Sequence, residues 1–169
     1  MKKRILVFIA LAIISFMLLF LDNNRKTAND SDDMIKIARN VIPISDADTI
    51  DIQIIGSVDN EKRSLVYFMT GNEYQSHSYF PLEFQIIPGD KYKFERMYKP
   101  MNRGMDISVL SWKEGYAFVV NNSKCKKLQI TSADGKIQMI EVGNLPFLYY
   151  FKEIPAEYDF LDSDGNVMY

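Results

Sequence analysis

Hydrophobic positions fall into three regimes along this 169-residue chain. Residues 5–21 form an apolar run whose only polar member is Ser15. Over 34–42 the apolar residues recur at the helical period: Met34, Ile35, Ile37, Ala38, Val41 and Ile42 share a stripe, with Lys36, Arg39 and Asn40 opposite. A short helix is expected there, capped by Asp32 or Asp33 and ended by Pro43. From Ala47 onward the period drops to two, the signature of strands with one buried face.

Ile50-Asp51-Ile52-Gln53-Ile54, Leu65-Val66-Tyr67-Phe68-Met69, residues 79–87 and Tyr92-Lys93-Phe94-Glu95 predict four antiparallel strands in a meander, with the helix lying on them. Turns fall at Asp59-Asn60-Glu61, Gly71-Asn72 and Pro88-Gly89-Asp90, while Pro81 argues for an edge or a strand start. Lys99-Pro100-Met101-Asn102-Arg103-Gly104 breaks the pattern and marks a lobe boundary. Seven short strand candidates follow, at 105–112, 116–121, 128–131, 137–142, 147–152, 157–162 and 166–169. Glu114-Gly115, Asp134-Gly135 and Asp164-Gly165 supply turn pairs that tolerate positive φ. This spacing predicts a small immunoglobulin-like sandwich; a sheet continuous with the first lobe is the competing arrangement. The fold class expected is therefore mainly β (α+β), organised as 1–21 basic stub and transmembrane anchor, 22–33 flexible tether, 34–100 helix plus antiparallel β lobe, and 101–169 immunoglobulin-like β lobe.

The 17 residues of 5–21 would span roughly 25 Å as a helix, slightly short of a hydrocarbon core of about 30 Å yet inside the range of about 17–25 residues for a membrane span. After them Leu19-Phe20-Leu21-Asp22-Asn23-Asn24-Arg25 offers no small-x-small cleavage pair, and the single cysteine, Cys125, is far from any lipidation position. An uncleaved anchor is favoured over a cleaved export signal. Lys2, Lys3 and Arg4 on one side, against Arg25 and Lys26 diluted by Asp22, Asp30, Asp32 and Asp33 on the other, place the amino terminus in the cytoplasm and the body outside.

With hydrophobic residues at 47% and aromatics at 13%, the rest of the chain can bury a core. The formal net charge of the whole chain is −2, and setting aside Lys2, Lys3 and Arg4 leaves about −5, which argues against nucleic acid or anionic phosphate as partners. One cysteine excludes an intrachain disulfide, so packing alone must stabilise the body.

Tyr116-Ala117-Phe118-Val119-Val120-Asn121, Lys127-Leu128-Gln129-Ile130, Asp134-Gly135, Phe147 and Tyr158-Asp159-Phe160-Leu161-Asp162-Ser163-Asp164-Gly165-Asn166 resemble the strand-and-turn grammar of uncharacterised membrane-anchored extracytoplasmic proteins of low-GC Gram-positive bacteria. The resemblance covers about residues 80–169 and implies a β-rich extracytoplasmic fold. It implies no catalytic residues.

Candidate chemistry is sparse. Asp162-Ser163-Asp164-Gly165-Asn166 alternates carboxylates before a glycine as a calcium loop does, but Phe160 occupies the first ligand position, so a hairpin turn is expected. His77, the only histidine, lacks both a Gly-x-Ser-x-Gly nucleophile and further metal ligands, and reads as a loop or strand-edge residue. Lys124, Lys126 and Lys127 around Cys125 would lower its thiol pKa if they faced it, against a plain half-buried thiol. Phe147, Tyr149 and Phe151 share one strand face with Leu148 and Tyr150 opposite, which fits burial better than display to a glycan or protein. Catalytic, cofactor-binding and metal sites are each expected to be absent. The function expected is a membrane-tethered extracytoplasmic binding module of the bacterial cell envelope, non-enzymatic, whose partner is an envelope protein or wall polymer. Two alternatives stand beside it: a wall hydrolase using a carboxylate pair drawn from Glu83, Glu95, Asp106 and Glu141, and an immunity or inhibitor protein.

Overall fold

The computed structural model describes residues 14–15, 26–44, 50–71, 77–102, 104 and 106–168. Among the described residues from 26 onward, one helix, α1 (Ser31–Val41), accompanies twelve strands: β1 (Thr27–Ala28), β2 (Ile52–Asn60), β3 (Arg63–Thr70), β4 (Ser78–Ile87), β5 (Lys91–Met97), β6 (Met101–Asn102), β7 (Ile107–Trp112), β8 (Gly115–Val120), β9 (Lys127–Thr131), β10 (Ile137–Glu141), β11 (Phe147–Phe151) and β12 (Glu157–Leu161). They form three sheets ordered β1-β5-β4-β3-β2, β11-β8-β7-β6 and β10-β9-β12, with every pairing antiparallel. The protein is thus mainly β with one short helix. The apolar run at 5–21 falls almost wholly outside the described residues. Among the described residues no helix is long and apolar enough to cross a membrane.

Helix α1 starts earlier than its apolar stripe. Its cap is Asp30, not Asp32 or Asp33: Asp30 is extended and its carboxylate accepts a hydrogen bond from the Asp33 amide at 2.9 Å. Asp32 and Asp33 instead occupy the first turn, where the helix dipole favours negative charge. Hydrogen bonds from Asn29 and Lys36 hold the Asp33 carboxyl down to about 2. At the far end Ile42 is extended (φ −72°, ψ 125°), as a residue before proline must be.

The tether expected over 22–33 is also shorter than its composition implied. Thr27 and Ala28 pair with Lys93 and Tyr92 at the edge of the first sheet, and Ala28 is fully buried. A segment without large apolar side chains can still be ordered when its backbone completes a sheet edge and a methyl group fits beneath a helix. Residues 22–25 lie outside the described residues.

Pro81 lies inside β4, opposite Tyr67 of β3, and neither at an edge nor at the strand start. The N–H and C=O of one strand residue point to the same neighbour, and the Pro81 carbonyl accepts from the Tyr98 amide at 2.9 Å, just beyond the end of β5. The missing N–H therefore faces the side where β5 has already left, and the ladder to β3 loses nothing. In β2 the register shifts between Ile54 and Gly56, and this bulge brings Gly56 against Leu148 of β11, 2.9 Å from where a Cβ would stand.

Alternation on each strand separates three cores. Met34, Ile37, Ala38 and Ile42 of the helix pack on Val66, Phe68, Leu82 and Phe84, one face of the first sheet. Leu65, Tyr67, Met69 and Tyr79 on its other face pack on Leu110, Trp112, Ala117 and Val119 of the second sheet. Ile107, Val109, Phe118 and Val120, on the reverse of that sheet, pack on Leu128, Ile130 and Phe160 of the third. The layer order is helix, five-stranded sheet, four-stranded sheet, three-stranded sheet. The second and third sheets exchange strands between β8 and β9, β10 and β11, and β11 and β12, and the sheet continuous with the first lobe does not form. Strand β11 is half-buried on both faces, with Leu148 and Tyr150 in the second core and Phe147, Tyr149 and Phe151 in the third, as its doubled bulk demands.

Two hydroxyls in or beside these cores, Tyr67 Oη and Ser108 Oγ, are buried without a hydrogen-bond partner. Such a group loses its water and gains nothing in return. Tyr67→Phe is expected to raise the unfolding free energy by about 1 kcal/mol, read as a higher urea midpoint at unchanged slope.

Candidate functional site

The densest polar constellation among the described residues surrounds Glu83, on the face of β4 that looks toward the second sheet. Alternation within Leu82-Glu83-Phe84 sends both apolar neighbours toward the helix and the carboxylate into the sheet–sheet interface, where it is fully buried. Trp112 Nε1 donates to Oε2 at 2.6 Å, Tyr98 Oη donates to the same oxygen at 2.9 Å, and Arg63 Nη1 donates to Oε1 at 2.5 Å. Arg96 Nε stands 3.8 Å from Oε1 and Lys113 Nζ 3.9 Å from Oε2. Burial pushes the Glu83 carboxyl up, but the hydrogen bonds from Trp112 and Tyr98 together with the charges of Lys113 and Arg63 outweigh it and hold the group below the usual carboxylate range. Burial disfavours the Tyr98 phenolate, and the hydrogen bond to Glu83 and the charge of that carboxylate raise the phenol further, against the opposing charges of Arg96 and Arg63.

Two hairpin turns rim this cluster. Asn60 pairs with Arg63 and Trp112 with Gly115, so each turn has two residues, Glu61-Lys62 and Lys113-Glu114. Positive φ is carried by Glu61 (33°) and Lys113 (54°), neither a glycine. The expected turn pair Glu114-Gly115 is thus displaced by one residue. Gly115 is needed for another reason: a Cβ there would stand 2.2 Å from the Phe151 carbonyl oxygen and 2.7 Å from Tyr150 Oη. The bare backbone lets β11 approach, and Tyr150 Oη then donates to the Trp112 carbonyl at 3.1 Å. Between the turns lies a cleft of about 240 Å³ lined by Asn60, Glu61, Lys62, Arg63 and Lys113.

The four carboxylates considered for a hydrolase are divided among three places. Glu83 and Glu95 share Arg63 Nη1, the latter at 3.6 Å. Asp106 accepts from Tyr79 Oη at 3.4 Å and lies 3.4 Å from His77 Nδ1. Glu141 pairs with Lys127 at 3.5 Å on the third sheet. Only Glu83 and Glu95 meet, and Glu83 is sealed and saturated with donors. A general acid must carry a proton it can deliver to substrate; a carboxylate held ionised behind an indole and a phenol cannot. Its geometry is that of a strut between β3, β4, β5 and β7.

His77, immediately before β4, is tied to Asp106, which itself takes positive φ (57°) and whose carbonyl accepts from the Asn121 amide at 2.8 Å. This cluster joins the first sheet to the turn before β7. Sequence spacing gave no hint of it, because the two residues are 29 positions apart and each looks ordinary alone.

Cys125 departs from its lysine-rich surroundings. It is buried in the third core and its thiol lies 3.6 Å from the Lys127 carbonyl. Burial pushes its pKa up, and the bonds to the backbone and the charge of Lys126 do not reverse that. The activation that neighbouring lysines would bring is therefore not realised, since the sulfur points inward while Lys126 Nζ donates to the Ser123 carbonyl at 2.7 Å and Lys127 pairs with Glu141. Native protein treated with a maleimide at pH 7.5 is expected to remain unlabelled over the time in which urea-unfolded protein labels fully.

Asp162 spends its oxygens on the turn itself, accepting from the amides of Asp164 and Asn166 at 2.9 Å each and from Asn166 Nδ2 at 3.2 Å, with Gly165 at φ 82°. Among the described residues no group of three His, Cys, Asp or Glu side chains is placed to hold a metal ion.

The outer face of the third sheet closes the stack. Register places Ile137, Met139 and Glu141 beside Thr131, Gln129 and Lys127, and these beside Glu157, Asp159 and Leu161. Ile137 is 63% and Met139 47% exposed, adjacent on the same face of edge strand β10. No family model, no curated protein and no solved structure matches the chain.

Proposed function

We propose that this protein is a binding module of the bacterial cell envelope, held at the membrane by residues 5–21 with its body outside the cytoplasm, and that it is not an enzyme. The observation that carries the reading is the layer order: among the described residues the first and second sheets pack on a helix or another sheet on each side, while the outer face of β10-β9-β12 bears exposed Ile137 and Met139 beside Glu157 and Asp159. An apolar pair on an edge strand with free backbone groups is the feature by which strands and protein surfaces dock. Strands β7–β12, with Val167 bridging Leu161, form an immunoglobulin-like sandwich in this reading, one face of which is spent on the first sheet and the other offered outward.

A photo-crosslinking residue substituted at Met139 in the full chain, expressed in intact cells, is expected to yield a discrete adduct with an envelope protein or wall polymer. The same probe at Lys36, on the helix side, should yield none. No adduct at Met139, or equal adducts at both positions, overturns the docking face. External protease added to intact cells should remove the body; its protection overturns the orientation.

A further inference from the structure

We propose that the cleft between the β2–β3 and β7–β8 turns is a binding site for a phosphate group. The chain as a whole is acidic, but the lining of this cleft reverses that sign: Lys62, Arg63 and Lys113 face it against Glu61 alone, with Asn60 adding an amide. Glu83 behind them is fully buried and acts as an anchor for the cations, not as a competitor within the cleft.

Donors remain to be used. Arg63 spends Nη1 on Glu83 and Glu95, and its Nε and Nη2 hydrogens carry no acceptor among the described residues. Lys113 Nζ is 3.9 Å from Glu83 and 6.0 Å from the Trp112 ring centroid, near enough for attraction but outside hydrogen-bond distance of the carboxylate. An ammonium and a guanidinium are thus held in place by a buried carboxylate and an indole, with open donors beside a cleft of about 240 Å³. With Glu83 and Glu95 already set against Arg63 and Lys113, what the lining offers an oxyanion is the open donors of Arg63 and Lys113 together with the Lys62 ammonium, and the three oxygens of a phosphate can meet them where a single carboxylate cannot meet all; the volume admits a small substituent on the phosphate. The positive φ of Glu61 and Lys113 is what a two-residue hairpin asks of its first turn residue. This site is independent of the outer face of the third sheet and stands or falls without it.

The test is titration of the full-length chain in detergent micelles with inorganic phosphate, glycerol 3-phosphate and acetate, followed by calorimetry and amide chemical shifts. Saturable binding of phosphate or its monoester is expected, with acetate at least about tenfold weaker and shifts centred on residues 60–63 and 113; whichever of the two phosphates binds more tightly identifies a free or an esterified source. Lys113→Gly, which relieves the positive φ while removing the amine, should weaken binding about tenfold or more, and Lys62→Met, which disturbs no hydrogen bond of the hub, should weaken it several-fold. Absence of saturable binding, acetate equal to phosphate, or binding unchanged in both variants overturns the proposal.

Discussion

Glu83→Ala lowers the unfolding free energy by about 3–5 kcal/mol, the largest loss expected of any single polar substitution in this chain. The carboxylate is fully buried, and its removal strands the indole N–H of Trp112, itself 1% exposed, along with the Tyr98 hydroxyl. Arg63, partly exposed, can turn to water, so the cost is concentrated on the sealed donors. Chemical denaturation at pH 7 measures it. The pH dependence has a definite sign. Because the folded-state pKa of Glu83 is depressed, its contribution is complete above the unfolded carboxyl value near 4.3 and is lost as pH falls through the lower folded value. The gap in stability between the natural protein and Glu83→Gln is therefore flat from pH 7 down to about 4.5 and shrinks below it.

Gly115→Ala is expected to cost about 2–4 kcal/mol although it adds one methyl group. The new Cβ meets a backbone oxygen, that of Phe151, at 2.2 Å, and a carbonyl in a strand ladder cannot swing aside as a side chain can. Strand β11 must shift, taking Tyr150 from the Trp112 carbonyl and loosening the wall that seals Glu83. Gly56→Ala is costly for a different reason: the nearest atom to its Cβ is the far end of Leu148, which can rotate, but its φ of 157° is one that residues with a side chain rarely adopt. Thermal unfolding of Gly115→Ala measures the cost of the backbone collision.

Strand periodicity made the meander and the later short strands legible, because alternation survives wherever one face meets a core. It failed at Pro81 and at residues 27–28 for a shared reason: both depend on which way backbone groups face, and side-chain pattern carries no such information. The Glu83 hub was visible only as one polar residue between Leu82 and Phe84, which is how any half-exposed strand reads. What makes it buried is a second sheet arriving from residues 107–120, a contact no local window contains. Cys125 is the plain buried thiol favoured over an activated one, because charge near in sequence need not be near in direction. The turns around Glu61 and Lys113 were legible but each was placed about one residue too early or too late, since non-glycine residues at positive φ leave no compositional mark.

Layer order has a mechanical corollary. A molecule held near Thr27 and loaded on the outer face of β10-β9-β12 carries tension across two interlayer cores in series, over about 20 Å of stacked sheets. In series the weaker junction yields first. The junction between the second and third sheets is filled by apolar and aromatic side chains around Phe118, Tyr158 and Phe160, whereas the one between the first and second encloses a carboxylate whose hydrogen bonds break once water enters. Under tension the first junction is therefore expected to part beside Glu83, with the outer two sheets, between which the chain crosses three times, staying together as one piece.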